Sequence, residues 1–302
     1  MYALEEIGPR LDAALSKKFG SAQVADLARL TGGATKLTYS FTATLDGERG
    51  KFILQLTPAS KVVDPTAGIT PRIAGDQDAA IMIEAAKLGV KVPPVRYVMT
   101  PNDGLGAGYV TGFVAGETLG PRILRDDKYA GARARLAAQC GAALAAIHRI
   151  DKTKLPFLMA QTPLEQVRSY RAIVEHYGHK LPALALGLRW AEENAPRHAK
   201  LTVVHGDFRT GNLIVGEDGL RAVLDWEVAQ ICDPMQDLGW LCVKTWRFGG
   251  PQPVGGFGAR EDLFAAYEEA SGASVDPQQV LFWEAFGSVK WAIMCLRKGL
   301  RY

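Results

Sequence analysis

Cysteine, long apolar runs and an N-terminal targeting pattern are scarce or missing in this sequence, and each shortage excludes a class of protein. The four cysteines are scattered without a Cys-x-x-Cys pair, which argues against a zinc site and favours a reducing compartment. Residues 1–20 lack the basic-then-apolar order of a signal peptide, and no apolar run is long enough to span a membrane. We therefore predict a cytoplasmic protein with no membrane partner.

A strong excess of one charge is also missing. The chain has 35 basic and 32 acidic side chains, a net charge of +3, and so balanced a surface does not indicate a nucleic-acid partner. With 48% hydrophobic and 22% charged residues, the composition is typical of a globular protein. The length of 302 residues suits one large or two modest domains, and the oligomeric state stays unknown.

The most informative stretch runs from residue 203 to residue 227. Its short β-branched runs are broken by Gly and Asp, a pattern typical of strands joined by tight turns. Three polar side chains fall at the predicted strand ends, Asp207, Asn212 and Asp225. Phosphoryl transfer needs such a set, because one carboxylate accepts the proton of the attacking hydroxyl while an amide and a second carboxylate hold Mg²⁺. The alternative is a metal-free cluster of Asx turns.

The order and spacing of these residues resemble a known family. Protein kinases carry an Asn five residues after the catalytic Asp and a metal-binding Asp further along. His205-Gly206-Asp207, Asn212 and Asp225 keep that order, and they resemble the aminoglycoside phosphotransferase and choline kinase branch of the protein-kinase-like fold.

This resemblance implies both a fold and a division of the chain. The expected fold class is α+β, a bilobal protein-kinase-like fold with a small antiparallel-sheet N-lobe and a larger, mainly helical C-lobe. Residues 1–114 are expected to form the nucleotide-binding lobe, and residues 115–302 the catalytic and substrate-binding lobe. The apolar pattern of Leu4, Ile7, Leu11, Leu15 and Phe19 independently predicts an amphipathic helix over the small lobe.

A glycine pair near residue 32 is interpreted as part of the nucleotide site. Gly-Gly between apolar runs predicts a hairpin, and its backbone amides are suited to cover phosphates. A plain structural hairpin is the alternative, but the family carries its nucleotide-positioning loop at this place in the chain. The residues predicted to contact ATP, or GTP, are Gly32, Gly33, Ala34, Thr35 and Lys36.

The sequence departs from the family in the next strand. Relatives carry a Lys or Arg that pairs with the phosphates and with a Glu on the following helix, whereas Gln55 and Asp78 stand at the best-matching positions here. Gln55 can still donate a hydrogen bond to a phosphate, but an uncharged one is weaker. We expect either weaker nucleotide binding or a substitute cation, with Lys36 and Lys51 as the candidates.

The resemblance also assigns roles around the cleft. Main-chain groups of Gly112 and Val114 are expected to bond the adenine edge. Asp207 is expected to orient the acceptor hydroxyl and take its proton, while Asn212 and Asp225 hold Mg²⁺. Arg209 is expected to supply positive charge as the phosphate bond breaks, although a surface arginine paired with a nearby acid is the alternative.

Two histidines and one aspartate are predicted to support the structure of the site rather than to do chemistry. His205 is expected to fix the catalytic loop by hydrogen bonds, and Asp237 to brace that loop without doing chemistry. His148, at the end of a predicted helix beside Asp151, is expected to be structural.

The acceptor is predicted less directly, as a small molecule with a hydroxyl group. Acids and bases nearly balance after Glu227, which argues mildly against a polycationic aminoglycoside. The pattern from Asp233 to Trp291 instead resembles the subgroup of kinase-like domains joined to acyl-CoA dehydrogenases, which implies a hydroxylated acyl substrate. Three alternatives stay open: a nucleotide-binding pseudokinase that regulates a partner, a binding module without nucleotide, and an antibiotic kinase.

Overall fold

Helices and strands follow one another in an order that separates a sheet-rich first part from a helix-rich second part. The computed structural model describes residues 3–30, 36–58, 68–178 and 181–299. Its helices are α1 (Leu4–Phe19), α2 (Gly75–Lys87), α3 (Gly120–Arg125), α4 (Ala130–Ile147), α5 (Pro163–Tyr177), α6 (Pro182–Asn194), α7 (Met235–Cys242), α8 (Arg260–Ser271) and α9 (Pro277–Gly299). Its strands are β1 (Ala25–Leu30), β2 (Leu37–Leu45), β3 (Glu48–Leu56), β4 (Val95–Val98), β5 (Gly108–Gly112), β6 (Thr202–Val204), β7 (Leu213–Gly216), β8 (Gly219–Val223) and β9 (Gln230–Cys232).

The first five strands form one antiparallel sheet in the order β1-β2-β3-β5-β4. The β2–β3 hairpin turns at Asp46 and Gly47, which both have positive φ, 54° and 80°. These residue types adopt that conformation at little cost, and the pairing then runs without a break from Leu45 opposite Glu48 to Leu37 opposite Leu56. The small antiparallel sheet predicted from the sequence is therefore confirmed.

Two apolar cores hold the sheet. The predicted amphipathic helix is present as α1, whose buried residues Ile7, Leu11 and Leu15 share a core with Phe41 and Leu54 of the sheet. The buried face of α2 belongs instead to the core that fills the helical part of the molecule. Because α2 packs into that larger core, the sheet is anchored to the helices through it. The predicted lobe boundary after residue 114 stays a prediction.

A short segment connects the sheet to the helical part and is bonded to both. Phe113 donates its N–H to the carbonyl of Lys51 in β3 at 3.0 Å, and Glu117 and Val215 of β7 exchange two backbone hydrogen bonds of 2.8 and 2.9 Å. Gly116 lies so close to Ile214 that a Cβ there would collide with it. The connection is thereby fixed against β7, the strand that follows the loop carrying Asp207.

The short strands of the second part carry the polar stretch. β6 pairs with β9 and β7 with β8, so the loop between β6 and β7 and the residues after β8 emerge at neighbouring strand ends. α4 packs against both α8 and β8, and α7 packs against α9. Among the helices of the described residues, none combines the length and apolarity that a bilayer span requires.

Replacing Leu11 with Ala tests the core between α1 and the sheet. Leu11 is fully buried, so the lost contacts and the cavity should lower the free energy of unfolding by about 2–5 kcal/mol. Leu4, on the same helix but 42% exposed, supplies the matched control, since Leu4→Ala should change stability by only about 0.5 kcal/mol. Urea unfolding measures both, and equal losses would contradict the packing of α1 described above.

Candidate active site

The loop after β6 holds the carboxylate of Asp207 in one orientation. Its Oδ1 accepts a hydrogen bond from the indole N–H of Trp240 at 2.8 Å, and its Oδ2 accepts one from the side-chain amide of Asn212 at 2.7 Å. The same amide also donates to the main-chain carbonyl of Asp207 at 3.0 Å. The structure therefore brings Asp207 and Asn212 together, as the sequence predicted, and leaves the carbonyl oxygen of the Asn212 side chain for another partner.

Asp237 holds the backbone immediately before Asp207. Its carboxylate is fully buried and accepts bonds from the N–H groups of His205 (2.7 Å) and Gly206 (2.8 Å) and from the His148 ring (Nε2, 3.2 Å). Burial raises the pKa of Asp237, but the hydrogen bonds from the His148 ring and from the backbone of His205 outweigh it and leave that pKa below its ordinary value. Asp237 thus stays ionised and bonded to the loop.

His205 links the loop carrying Asp207 to the segment just before Asp225. Its Nδ1 accepts the N–H of Asp207 at 3.2 Å, so its Nε2 carries the proton and donates to the carbonyl of Leu224 at 3.0 Å. Leu224 immediately precedes Asp225. The predicted role of His205 in fixing the loop by hydrogen bonds agrees with these contacts.

Asp225 has a left-handed backbone conformation, with φ of 64°, which Asp adopts more readily than most residues other than glycine. About a third of its side chain is exposed, and its Oδ1 lies 3.2 Å from the ammonium of Lys36. The remaining oxygens of Asp225 and Asn212 are hard donors of the kind that Mg²⁺ takes. No described group of three or more His, Cys, Asp or Glu side chains forms a metal site. A Mg²⁺ site with only one or two protein ligands fits that finding, because the ion usually keeps waters and phosphate oxygens.

Arg209 lies against Asp207 rather than in open solvent. Its Nε contacts both carboxylate oxygens, at 3.1 and 3.3 Å, and its guanidinium lies 4.5 Å from the centre of the Trp246 ring. Trp246 packs in turn on Trp240 and Trp291. This aromatic platform fixes the cation beside the predicted base, while the predicted catalytic role of Arg209 stays a prediction.

A polar cluster lies between the sheet and α2. The ammonium of Lys36 is hydrogen-bonded to Asp78, and the hydroxyl of Tyr109 contacts both Gln55 and the same Asp78 carboxylate, the latter at 2.7 Å. Burial lowers the pKa of Lys36, but the carboxylates of Asp78 and Asp225 outweigh it and raise that pKa above its ordinary value. Gln55 therefore faces Tyr109 in this structure, and Lys36 is the cation beside Asp78.

Of the other residues predicted to contact the nucleotide, the structure describes Gly112 and Val114. Gly32, Gly33, Ala34 and Thr35 lie outside the described residues. Gly112 is described, and its N–H donates to the carbonyl of Pro94 at 2.9 Å. The N–H of Gly112 is therefore not available for an adenine edge in this structure, and the predicted contacts of Gly112 and the half-buried Val114 stay predictions.

Two residues beneath the loop were missed by the sequence reasoning. Lys290 of α9 is buried, donates to the carbonyl of Gly206 at 3.4 Å and lies 4.7 Å from the centre of the Trp240 ring. Burial lowers the pKa of Lys290, and the charges of Asp207 and Asp237 oppose that shift. Trp240 of α7 is the other residue, and its indole N–H donates to Asp207. Neither position carries a local sequence signal, because both contacts are made between distant parts of the chain.

Comparison of the chain with known proteins identifies its family. The chain belongs to the phosphotransferase enzyme family, whose model matches residues 26–278. Among solved structures, a Ralstonia eutropha JMP134 protein assigned as an aminoglycoside phosphotransferase is similar, with 18% identity, a TM-score of 0.68, and coverage of 95% of this chain and 86% of that one. The GDP complex of aminoglycoside 2'-phosphotransferase-IIIa gives 13% identity, a TM-score of 0.62, and coverage of 97% and 92%. Identities this low show the fold alone, and they confirm the predicted α+β, bilobal kinase-like fold.

A curated relative matches over a shorter stretch. Acyl-CoA dehydrogenase family member 10 of Mus musculus is 38% identical over 65 residues, which are 21% of this chain and 6% of the mouse protein. The chain therefore spans only a small fraction of that relative. The match agrees with the predicted likeness to kinase-like domains associated with acyl-CoA dehydrogenases.

Replacing Gly206 with Ala tests whether the loop carrying Asp207 needs a residue without a side chain where it packs on Val228. Gly206 has φ of +80°, and a Cβ there would lie 2.5 Å from the carbonyl oxygen of Val228, just beyond Asp225. Gly178 is the matched control, because its φ is +65° but no described atom lies within 4 Å of its Cβ position. Gly178→Ala should lower the free energy of unfolding by about 1–2 kcal/mol through backbone strain alone.

Gly206→Ala should destabilise more and should also lower turnover, since the loop must move away from Val228. Chemical unfolding and phosphotransfer assays on the same preparations give both quantities. The close packing of the loop on Val228 is wrong if the two variants are equally stable and equally active.

Proposed function

We propose that this protein transfers the terminal phosphoryl group of ATP, or GTP, to a hydroxyl group of a small molecule. One observation carries the proposal: Asp207 and Asn212 are hydrogen-bonded to each other on a loop that His205 ties to Leu224, the residue before Asp225. Membership of the phosphotransferase enzyme family supports it. A cytoplasmic location and the absence of nucleic-acid and membrane partners stay predictions.

Asp207 is the proposed base. A catalytic carboxylate must be within hydrogen-bond reach of the acceptor hydroxyl and must be held in one geometry. The donors on Asp207, from Trp240 at 2.8 Å and Asn212 at 2.7 Å, hold the carboxylate in this way. Its side chain stays one-fifth exposed, so an acceptor can reach it. The proton of the hydroxyl passes to Asp207 as the oxygen attacks the terminal phosphorus, and the bond from that phosphorus to the bridging oxygen breaks to release the nucleoside diphosphate.

Arg209 and Lys290 place positive charge on two sides of that base. Arg209 is bonded to the carboxylate itself, and its remaining N–H groups can bond phosphate oxygens as negative charge develops. Lys290 lies behind the loop and bonds the carbonyl of Gly206. In this proposal Arg209 contacts the transferring group, while Lys290 positions the loop.

Asn212 and Asp225 are the proposed holders of Mg²⁺. When bound, the ion would neutralise the charge of the phosphates and fix their geometry. The hydrogen bonds that Asn212 gives to Asp207 direct its amide N–H away from any cation, so its carbonyl oxygen is the donor atom. The exposure of about a third of the Asp225 side chain is consistent with a carboxylate that points into the cleft.

The nucleotide is proposed to lie between the sheet and the helical part, against Lys36 and the segment from Gly112 to Val114. Gly32, Gly33, Ala34 and Thr35, which precede Lys36, are also predicted to contact the nucleotide, and they lie outside the described residues. A guanine nucleotide is bound in one solved relative, and so both ATP and GTP are retained in the proposal.

An apolar patch near the catalytic loop supports an acceptor with an apolar portion. Phe248 is 40% exposed and has a strained φ of 45°, and its ring lies against Gly120, next to the 51% exposed Leu119. Phe248 begins a glycine-rich loop, residues 248–258. This loop also contacts the loop carrying Asp207, because Thr210 donates its hydroxyl to the carbonyl of Gly255 at 3.2 Å. A hydroxylated acyl compound suits this patch better than a polycationic aminoglycoside, for which acidic groups would be needed.

Replacing Asp207 with Asn tests the proposed base. The amide cannot take the proton, so kcat should fall about a hundred- to ten-thousand-fold, while the affinity for nucleotide stays nearly unchanged. The exposed Asp262 of α8 supplies the control, since Asp262→Asn should have the wild-type kcat. Steady-state assays and calorimetric nucleotide titration measure the two effects. A wild-type kcat in Asp207→Asn would remove Asp207 as the base.

Replacing Phe248 with Ser tests the acceptor class. The KM for a hydroxylated acyl acceptor should rise about tenfold or more through loss of apolar contact, while the KM for nucleotide stays the same. Leu186→Ser, at a residue of α6 that is 70% exposed, is the matched control and should alter neither constant. Turnover of aminoglycosides and none of hydroxylated acyl compounds would contradict the proposed acceptor.

A pseudokinase is the second candidate, favoured by the uncharged Gln55 at a position where relatives carry a cation. The two candidates differ in one measurement, which is Mg²⁺-dependent release of ADP or GDP. Nucleotide binding without any hydrolysis or transfer would favour the pseudokinase.

A further inference from the structure

The position where relatives carry a phosphate-binding cation is filled by a neutral group in this protein. Gln55 of β3 stands at that position, and its side chain is hydrogen-bonded to the hydroxyl of Tyr109 on the neighbouring strand β5. Tyr109 is 97% buried and also contacts Asp78 at 2.7 Å. Because one hydroxyl carries one proton, Tyr109 donates to the carboxylate and accepts from the Gln55 amide, whose nitrogen and oxygen are exchangeable by a flip.

The cation that meets Asp78 comes from the other strand of the hairpin. Lys36 directly precedes β2, and the register places Leu37 opposite Leu56 and Thr38 opposite Gln55. The backbone of Lys36 therefore lies just beyond the end of β3. From there the Lys36 side chain can reach the location that a long side chain at position 55 would occupy. Its side chain is only 8% exposed, although Lys is among the residues least often buried without a partner.

Lys36 joins two carboxylates that belong to different parts of the molecule. Asp78 lies on α2, and Asp225 follows β8, 3.2 Å from the ammonium. One of the oxygens of Asp78 has no hydrogen-bond partner in the described structure, so this buried carboxylate depends on Lys36 and Tyr109. A single ammonium held in this way keeps its charge and its position beside the predicted Mg²⁺ ligand.

The other candidate cation is placed differently. Lys51 of β3 is exposed, and its ammonium lies over the ring of Phe113, 4.5 Å from its centre. It therefore points to the surface of the sheet near the connecting segment, without a carboxylate partner among the described ion pairs. Lys36, and not Lys51, occupies the place between α2 and Asp225.

We propose that the phosphate-binding cation of this protein has been transposed from β3 to Lys36, at the start of β2, with Asp78 as its anchor and the Gln55–Tyr109 pair filling the vacated position. The inference rests on the proposed function, because it assigns the residue that contacts the nucleotide phosphates. It also explains why the partner on α2 is an Asp. Lys36 arrives from the adjacent strand with Tyr109 beside it, so the longer Glu is not required.

The first experiment measures nucleotide binding by calorimetry without an acceptor. Lys36→Met should weaken binding of ATP or GTP about ten- to a hundredfold, the loss expected for a charge-assisted hydrogen bond. Lys36→Arg keeps the charge and should lose less. Lys87→Met removes an exposed lysine that pairs with Glu84 on α2 and should bind nucleotide like the wild type. Melting temperatures verify that each variant is folded.

The second experiment moves the cation back. Gln55→Lys alone should not tighten binding, because it adds a second ammonium to a carboxylate that already has one. Combined with Lys36→Gln, it should recover part of the affinity that the single Lys36→Gln variant loses. A folded double variant that binds no better than Lys36→Gln would overturn the transposition.

The two proposals fail in different ways. A wild-type protein that binds neither ATP nor GTP would remove the proposed function itself. A wild-type protein that binds nucleotide, together with a Lys36→Met variant that binds it equally well, would remove only the transposition. Loss of binding in Lys51→Met but not in Lys36→Met would assign the phosphate contact to Lys51 and would likewise overturn it.

Discussion

A single buried carboxylate, that of Asp237, holds the backbone from which the candidate active site is built. It accepts hydrogen bonds from the main chain of His205 and Gly206 and from the ring of His148. An ionised group without water is costly unless such donors compensate it, so the loop cannot leave Asp237 without exposing a buried charge. The orientation of Asp207 follows from this constraint, because Asp207 is the next residue along the held backbone.

The same carboxylate organises the helices that surround the loop. Asp237 lies on α7, His148 ends α4, and Tyr267 of α8 bonds Nδ1 of His148 at 2.9 Å. Because the ionised carboxylate of Asp237 can only accept, Nε2 of His148 carries a proton and donates it to Asp237. Three helices are thus bonded through one polar chain within an otherwise apolar core. The geometry of the loop therefore depends on residues that never contact a substrate.

Much of this arrangement could be predicted from local sequence, and the rest depends on contacts between distant residues. The spacing of Asp207, Asn212 and Asp225 predicted their grouping, because short strands and tight turns bring such residues to one edge. The partners of Lys36 lie 42 and 189 residues away and follow from strand register, which one sequence does not supply. Other elements carry weaker local signals. α3 has only six residues, too few for a helical repeat to be recognised, and β4 begins only at Val95 because Pro93 and Pro94 cannot donate to a sheet.

The connection between the sheet and the helical part has a mechanical consequence. Phe113 is bonded to β3, and Glu117 is bonded twice to β7, so residues 114–116 are the only ones between the two anchors. Any rotation of the sheet relative to β7 must be absorbed by their backbone torsions. Gly116 tolerates the widest range of torsions, yet its contact with Ile214 leaves no room for a side chain. The pivot of the cleft is therefore short and sterically confined, and a larger residue at position 116 would stiffen it or push it off β7.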